Sequence, residues 1–293
     1  MALKIYPLKY GQMEIDSSIM VMFRDPGKTV TIPVLGYLIL GGEAPVLVDT
    51  GPRSEADVNA LGYPYRVAPE DELDYHLAQH GLKRSDIRHI VHTHAHLDHA
   101  GGSFNFPMST QVSLTRQEMQ FMASGIMGPG MYTADDTKHF IDRLHTKGAL
   151  RLFDVDGTFE EEIIPGVAVQ ISGGHTPGSI SILVETEEGI ANICGDIAYD
   201  FTDQIINPGL DIAAHEPTIT GNHAMSTLAE KRAIKRALAI SRFLLPGHDL
   251  PALVQGGKIV GFAHDAISNP LADVTKASSY TPLLQASGFG LLA

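Results

Sequence analysis

At 293 residues the chain can bury a large core, as one large domain or two small ones. Its 44% hydrophobic and 19% charged residues are those of a soluble globular protein. A net charge of −13 argues against nucleic acid or an anionic membrane as the main partner, but not against an anionic substrate, because bound metals invert the local field.

The single cysteine, Cys194, excludes an intrachain disulfide and fits a reducing compartment. Met1 to Pro7 carry no signal-peptide core, and no stretch approaches the roughly 20 apolar residues of a membrane span. A cytoplasmic protein is expected.

Residues 3 to 9 alternate weakly and predict a first strand. Ser17 to Phe23 is apolar and contains Met20 and Met22. Val30–Leu40 and Pro45–Gly51 read as two strands joined at Gly41-Gly42. Asp49 ends the second of them, either as a turn former or as a carboxylate that orients a metal-bound histidine. Pro69 to Leu73 opens a helix that Gly81 closes, with proline and acids in its first turn. His76 and His80 lie four apart on it and read as surface or packing residues. Ser85 to Thr93 is a strand.

Gln111 to Leu114 is a short strand, and Thr115 to Ala123 a helix with Arg116, Glu118 and Gln120 facing outward. Gly125 to Tyr132, rich in Met and Gly, is either a mobile pocket wall or an ordinary loop. Residues 135 to 147 are helical. Leu150 to Phe153 begins a second run of strands, continued by Ile163–Ile171, Ser179–Glu185 and Gly189–Cys194. Ser226 or Thr227 caps a helix over Leu228–Ile240, and Phe243–Leu245 is the last buried strand. The order suggests one domain, 1–293, with two sheets between helices. The tail, about 265–293, is apolar without period. It is expected to cover its own domain or a neighbouring subunit, the latter making a homodimer.

Four metal-ligating side chains fall within six positions, in His94-Ala95-His96-Leu97-Asp98-His99. The stretch leaves a strand and ends at Gly101-Gly102, so it is a loop. There His94 and His96 can point one way while Asp98 and His99 turn to a second point. Imidazole and carboxylate suit a divalent ion such as zinc, and two points suggest two ions. His175 in Gly-Gly-His-Thr-Pro-Gly, Asp196 in Cys-Gly-Asp and His248 in Pro-Gly-His-Asp each stand where an apolar strand meets a glycine. One such residue is common at a strand end; all of them together are not. The nine other histidines carry no such pattern.

These motifs, with Val48-Asp49-Thr50-Gly51, closely resemble the metallo-β-lactamase superfamily, and within it the N-acyl-homoserine lactonases. The resemblance runs from about Ile5 to about Asp249. It implies an α+β fold, a four-layer αβ/βα sandwich with the site at one edge between the sheets. It implies one metal on His94, His96 and His175, a second on Asp98, His99 and His248, and Asp196 bridging both. Tyr199, three residues after Asp196, corresponds to the substrate-facing phenol of those lactonases.

The chain departs at Leu97, where many carry Phe, at Ser179, where a His is often seen, in 124–150 and beyond 260. The expected activity is hydrolysis of a small lactone, with Asp98 and Tyr199 catalytic. Met20, Met22, Leu97 and His223 are the candidate substrate contacts. The alternatives are a glyoxalase-II-like thioesterase or another ester or amide hydrolase. An iron redox protein would need a flavin domain for which no length remains.

Overall fold

The computed structural model describes residues 2–126, 130–208, 216–221 and 226–283. The first sheet contains β1 (Lys4–Asp16), β2 (Thr29–Leu40), β3 (Val46–Val48), β4 (Tyr65–Arg66), β5 (His89–Val91), β6 (Gln111–Thr115) and β7 (Leu150–Phe153). Their spatial order is β4-β1-β2-β3-β5-β6-β7. The second contains β8 (Glu161–Ile164), β9 (Val167–Ile171), β10 (Ile180–Thr186), β11 (Gly189–Gly195), β12 (Phe243–Pro246), β13 (Ala252–Gln255), β14 (Lys258–Phe262) and β15 (Thr281–Pro282), in reverse chain order across the sheet.

Period-two alternation sorts the side chains into layers. Leu35, Tyr37 and Ile39 of β2 face Ile180, Ile182 and Val184 of β10 in the core between the sheets. Val34 and Leu38 point the other way, onto a core that includes Val58, Met119 and Phe140. On the far side Cys194 and Leu244 pack against Ala233, Ile234 and Ala237. These last three belong to a helix over Thr227–Ile240 that Ser226 caps. The result is an αβ/βα sandwich.

β1 extends beyond the alternating stretch at 3 to 9. Leu3 and Ile5 face the inter-sheet core, whereas Leu8 and Tyr10 face the helix side. A bulge between Lys9 and Gly11 then shifts the register on β2, so that Met13 and Ile15 stay on the helix side despite their odd numbers.

Several expectations are corrected. Leu150–Phe153 does not begin the second run of strands; it pairs parallel with β6 in the first sheet. Phe243–Leu245 is not the last strand, because β13 to β15 follow. Within Ser85–Thr93 only His89–Val91 is strand, preceded by a 3-10 turn at Arg84–Asp86. Pro69 opens a 3-10 turn, and the helix proper is Leu73–Gln79. Glu118 does not face outward: on the helix Arg116–Ser124 it is fully buried.

The described part of the tail covers its own chain. Val274 donates its N–H to the Ile5 carbonyl at 3.0 Å, and Tyr280 stacks on Phe243. No helix among the described residues is long and apolar enough to cross a membrane.

β3 and β5 run parallel in one sheet, and β11 and β12 in the other. Their carboxyl ends therefore open on one edge, where the sheets are bonded together: Ile180 N–H to the Thr93 carbonyl at 2.9 Å, and Leu35 N–H to the Gly247 carbonyl at 2.9 Å. Gly102 sits against the loop after β3, and a Cβ there would collide with the Thr50 carbonyl. Gly102→Ala is expected to lower stability by about 1–3 kcal/mol. Gly130→Ala, with open space around it, should stay within roughly 0.5 kcal/mol of the parent. Urea unfolding of both measures this; equal stability would mean that the two loops are not packed as described.

Candidate metal centre

All seven predicted ligand residues meet at this edge, and all are buried, Asp98 being the most exposed at 6%. His94, His96, His175, Asp196 and His248 follow strand ends. The stretch expected to be a loop as far as Gly101 is not one throughout: Asp98 and His99 stand on a one-turn helix, Leu97–Ala100, that continues into a 3-10 turn at Gly101–Asn105. Asp49 follows β3 in the left-handed region at φ 57°, a conformation that Asp tolerates better than most residues. This turns its side chain across to the loop after β5.

His94, His96 and His175 form one group. The Nδ1 of His96 lies 3.0 Å from the Nε2 of His94 and 3.0 Å from the Nε2 of His175. Asp98, His99 and His248 form a second. The Nε2 of His248 is 3.4 Å from Asp98 Oδ2, and that of His99 is 3.9 Å from it. Asp196 stands between them. Its Oδ2 is 3.6 Å from His175 and 3.3 Å from His248, and its Oδ1 is 3.2 Å from His99.

The inward nitrogens are fixed by what the other side of each ring touches. His99 Nδ1–H donates to Asp49 Oδ2 at 2.9 Å, and His248 Nδ1–H donates to the Pro33 carbonyl at 2.9 Å. Each has its Nε2 facing inward. Burial opposes a charged ring, but Asp196 foremost raises His99 well above its ordinary range and His248 to about 10, so a cation bound here would take the place of the Nε2 protons. Asp49 is itself held by the Thr93 N–H and the Thr93 hydroxyl, both at 2.8 Å. The two readings of Asp49 are therefore joined: the turn is what aims the carboxylate.

Burial first, and then the neighbouring imidazoles, push His94 and His96 well below the ordinary histidine range; burial pushes His175 down to about 4. Neutral rings with lone pairs are what a cation needs. Two ligands each about 2.0–2.1 Å from a shared tetrahedral ion lie about 3.3 Å apart, so the 3.0 Å spacings suit such an ion. His99 Nε2 and Asp196 Oδ1 are buried without a hydrogen-bond partner. The donor set fits a pair of divalent cations.

A cavity of about 150 Å³ opens beside the second group. Asp98, Tyr199 and His248 stand at its polar end; Met13, Ile15, Ile19, Val58, Tyr63, Leu97 and Met131 make the rest apolar. Tyr199 is 4% exposed and stacks on His248 at 5.2 Å. Its backbone N–H is anchored by the buried Gln204 side chain at 2.7 Å. Of the candidate substrate contacts, Leu97 is on this wall. Met20 is buried in the core and Met22 half-buried; neither is on the wall, and Ile19 lines it instead. His223 lies outside the described residues, as does His215.

Sequence reasoning missed Met13, Ile15, Val58 and Tyr63, which carry no local pattern, and Gln204. Of Gly125–Tyr132, read as a pocket wall or an ordinary loop, Met131 lines the cavity and the Tyr132 ring stands edge-on to His96 at 4.8 Å, while residues 127–129 lie outside the described residues. His92, one of the nine histidines outside the ligand pattern, is fully buried 3.6 Å from Asp49.

Residues 31–248 match the model of the metallo-beta-lactamase superfamily. An N-acyl homoserine lactonase from Bacillus cereus is 30% identical over 222 residues, covering 71% of this chain and 82% of the relative. Among solved structures, an N-acyl homoserine lactone hydrolase with the product N-hexanoyl-L-homoserine at its catalytic metal centre superposes with a TM-score of 0.65 at 24% identity, covering 85% of this chain and 94% of that one. A dizinc quorum-quenching lactonase in complex with a product gives 0.63 at 16% identity, covering 88% and 92%.

The chain belongs to the metallo-beta-lactamase superfamily, and it is a metal-dependent hydrolase. Within the superfamily it falls in the N-acyl homoserine lactonase-like branch.

Asp49→Ala removes the group that orients His99 and is expected to weaken metal binding about 10–100-fold. Chelator competition measures this. Unchanged affinity would mean that His99 is oriented without the carboxylate.

Proposed function

We propose that the chain opens the ring of N-acyl-homoserine-type lactones, using two divalent ions, zinc foremost, held by His94, His96, Asp98, His99, His175, Asp196 and His248. One observation carries the reading. An apolar cavity ends at this ligand cluster, with Asp98 and Tyr199 both in its wall.

The bound pair of ions supplies Lewis acidity and a water acidic enough to attack near neutral pH. The chain's residues do the rest. The Tyr199 hydroxyl keeps its proton, because burial, then Asp196 and Asp98, raise its pKa well above the ordinary range. It can therefore donate to the oxyanion that develops on the lactone carbonyl. The carbonyl carbon gains a bond to the water oxygen, and the ring C–O bond breaks. Asp98 accepts the water's proton and hands it to the departing ring oxygen, leaving one carboxylic acid and one alcohol.

The substrate's apolar arm lies along Met13, Ile15, Ile19 and Met131. A cavity near 150 Å³ accepts a group of about benzene size, so about six carbons fill it and a longer chain extends toward the mouth. Among the described residues no Lys or Arg lines the cavity, which leaves the charged ends of a glutathione thioester without a partner. The one cysteine is buried, in keeping with a cytoplasmic setting. The chain acts as one domain.

Tyr199→Phe should lower kcat about 10²-fold, as loss of one oxyanion donor does, with metal content unchanged. Full turnover by this variant would remove Tyr199 from the chemistry. For the substrate, pH-stat hydrolysis by the zinc-loaded enzyme should be run on short and long N-acyl-homoserine lactones, an aromatic-fused lactone and a glutathione thioester. Fast opening of the acyl-homoserine lactones is expected. Cleavage of the thioester alone would overturn the lactonase reading, and opening of the fused lactone alone would move the substrate to another ring class.

A further inference from the structure

Glu118 is fully buried, yet its side chain bonds to Ala95, Tyr132 and Thr176 rather than to a ligand ring. Thr115-x-x-Glu118 reads as a capping box, in which the glutamate side chain folds back onto its own helix end. Only half of that box forms. The Thr115 hydroxyl takes the Glu118 N–H at 3.0 Å, while the Glu118 carboxylate leaves the helix and binds three other segments.

Its Oε1 accepts from the Ala95 N–H at 2.9 Å and from the Tyr132 hydroxyl at 2.8 Å; its Oε2 accepts from the Thr176 hydroxyl at 2.6 Å. Ala95 lies between His94 and His96. Thr176 follows His175. Tyr132 packs edge-on to His96. One carboxylate thus stands one residue away from all three imidazoles of the first group, and it spans a loop from each sheet. Gly178 allows the close approach: a Cβ there would collide with the Glu118 backbone nitrogen.

We infer that Glu118 is a positioning residue for the His94/His96/His175 group, holding the two ligand loops in the register that keeps the three nitrogens on one point. This rests on the metal reading above. It differs from the role of Asp49, which binds a ligand ring directly and serves the second group. The donors to Glu118 are neutral and burial raises its carboxyl above the ordinary range, so it acts on the site through the tie between the loops. Loss of that tie weakens binding at the first group.

The test is cobalt(II) titration of the full chain, followed by visible absorption and by thermal unfolding with and without metal. The variants are Glu118→Ala, Glu118→Gln and Thr176→Val, with Ile234→Val, in the core outside the second sheet, as a control for plain destabilisation. The parent should take two equivalents. Glu118→Ala should keep one tight equivalent and bind the other about 10–100-fold more weakly, the range for lost outer partners of metal-bound histidines, with an altered absorption band. Glu118→Gln should lose less, because its amide oxygen still accepts. Ile234→Val should change the unfolding midpoint alone.

Affinities and bands within about twofold of the parent in both Glu118→Gln and Thr176→Val, against the 10–100-fold range for lost outer partners, would overturn the inference, even if Glu118→Ala fails to fold. A parent that takes up no cobalt would overturn the metal reading itself, and this inference with it.

Discussion

The structure depends on one constraint: five imidazoles and two carboxylates are brought out of water onto two points. Uncompensated, such a cluster is costly, because buried donors and acceptors need partners. Nitrogens 3.0 Å apart cannot all direct protons at one another. His94, His96 and His175, made neutral by burial, and His99 and His248, whose inner nitrogens face Asp196 and Asp98, leave a cation as the solution that satisfies them together. Each outward contact contributes to this. Asp49 and the Pro33 carbonyl take the outer protons of His99 and His248, and so decide which nitrogen faces the centre.

The sandwich serves that constraint. Parallel pairing of β3 with β5, and of β11 with β12, sends four chain segments out on the same edge. The ligand loops start there, immediately after paired strands that are buried at that end, so their first residues inherit the rigidity of the sheet. The backbone bonds that cross between the sheets, Thr93 with Ile180 and Gly247 with Leu35, set the spacing between the ligands of the first sheet and those of the second.

Much of this was legible in the sequence because it is local. His94, His96, His175, Asp196 and His248 each stand at a junction between an apolar run and a glycine or a tight loop, and such junctions need only neighbouring residues to be recognised. The alternation in β2 and β10 was legible for the same reason. What was not legible depends on distant partners. The bulge at Lys9/Gly11 reverses the meaning of odd and even positions in β1, and only pairing with β2 reveals it. Glu118 carries a helix-cap pattern whose side chain answers to loops 23 and 58 residues away. β7 follows a helix and precedes a run of antiparallel strands, so chain order alone assigns it to the wrong sheet. Met13, Ile15, Val58 and Tyr63 reach one cavity from three separate elements and share no motif.

Specificity divides along the same line. The candidate metal donors come from strand-end loops and the one-turn helix Leu97–Ala100, whereas the apolar wall comes chiefly from β1, the turn after it, the helix holding Val58 and the loop holding Tyr63. A change at Met13 or Val58 reshapes the space for the substrate's arm and leaves every donor contact untouched. Leu97 is the exception. It lines the cavity while standing between His96 and Asp98, and its N–H is tied to the Met131 carbonyl at 3.0 Å, bringing a second wall residue with it. A larger side chain at this position would narrow the cavity and press on both ligand groups together. Space for substrate and geometry at the metals are therefore coupled at Leu97 and separable along the rest of the apolar wall.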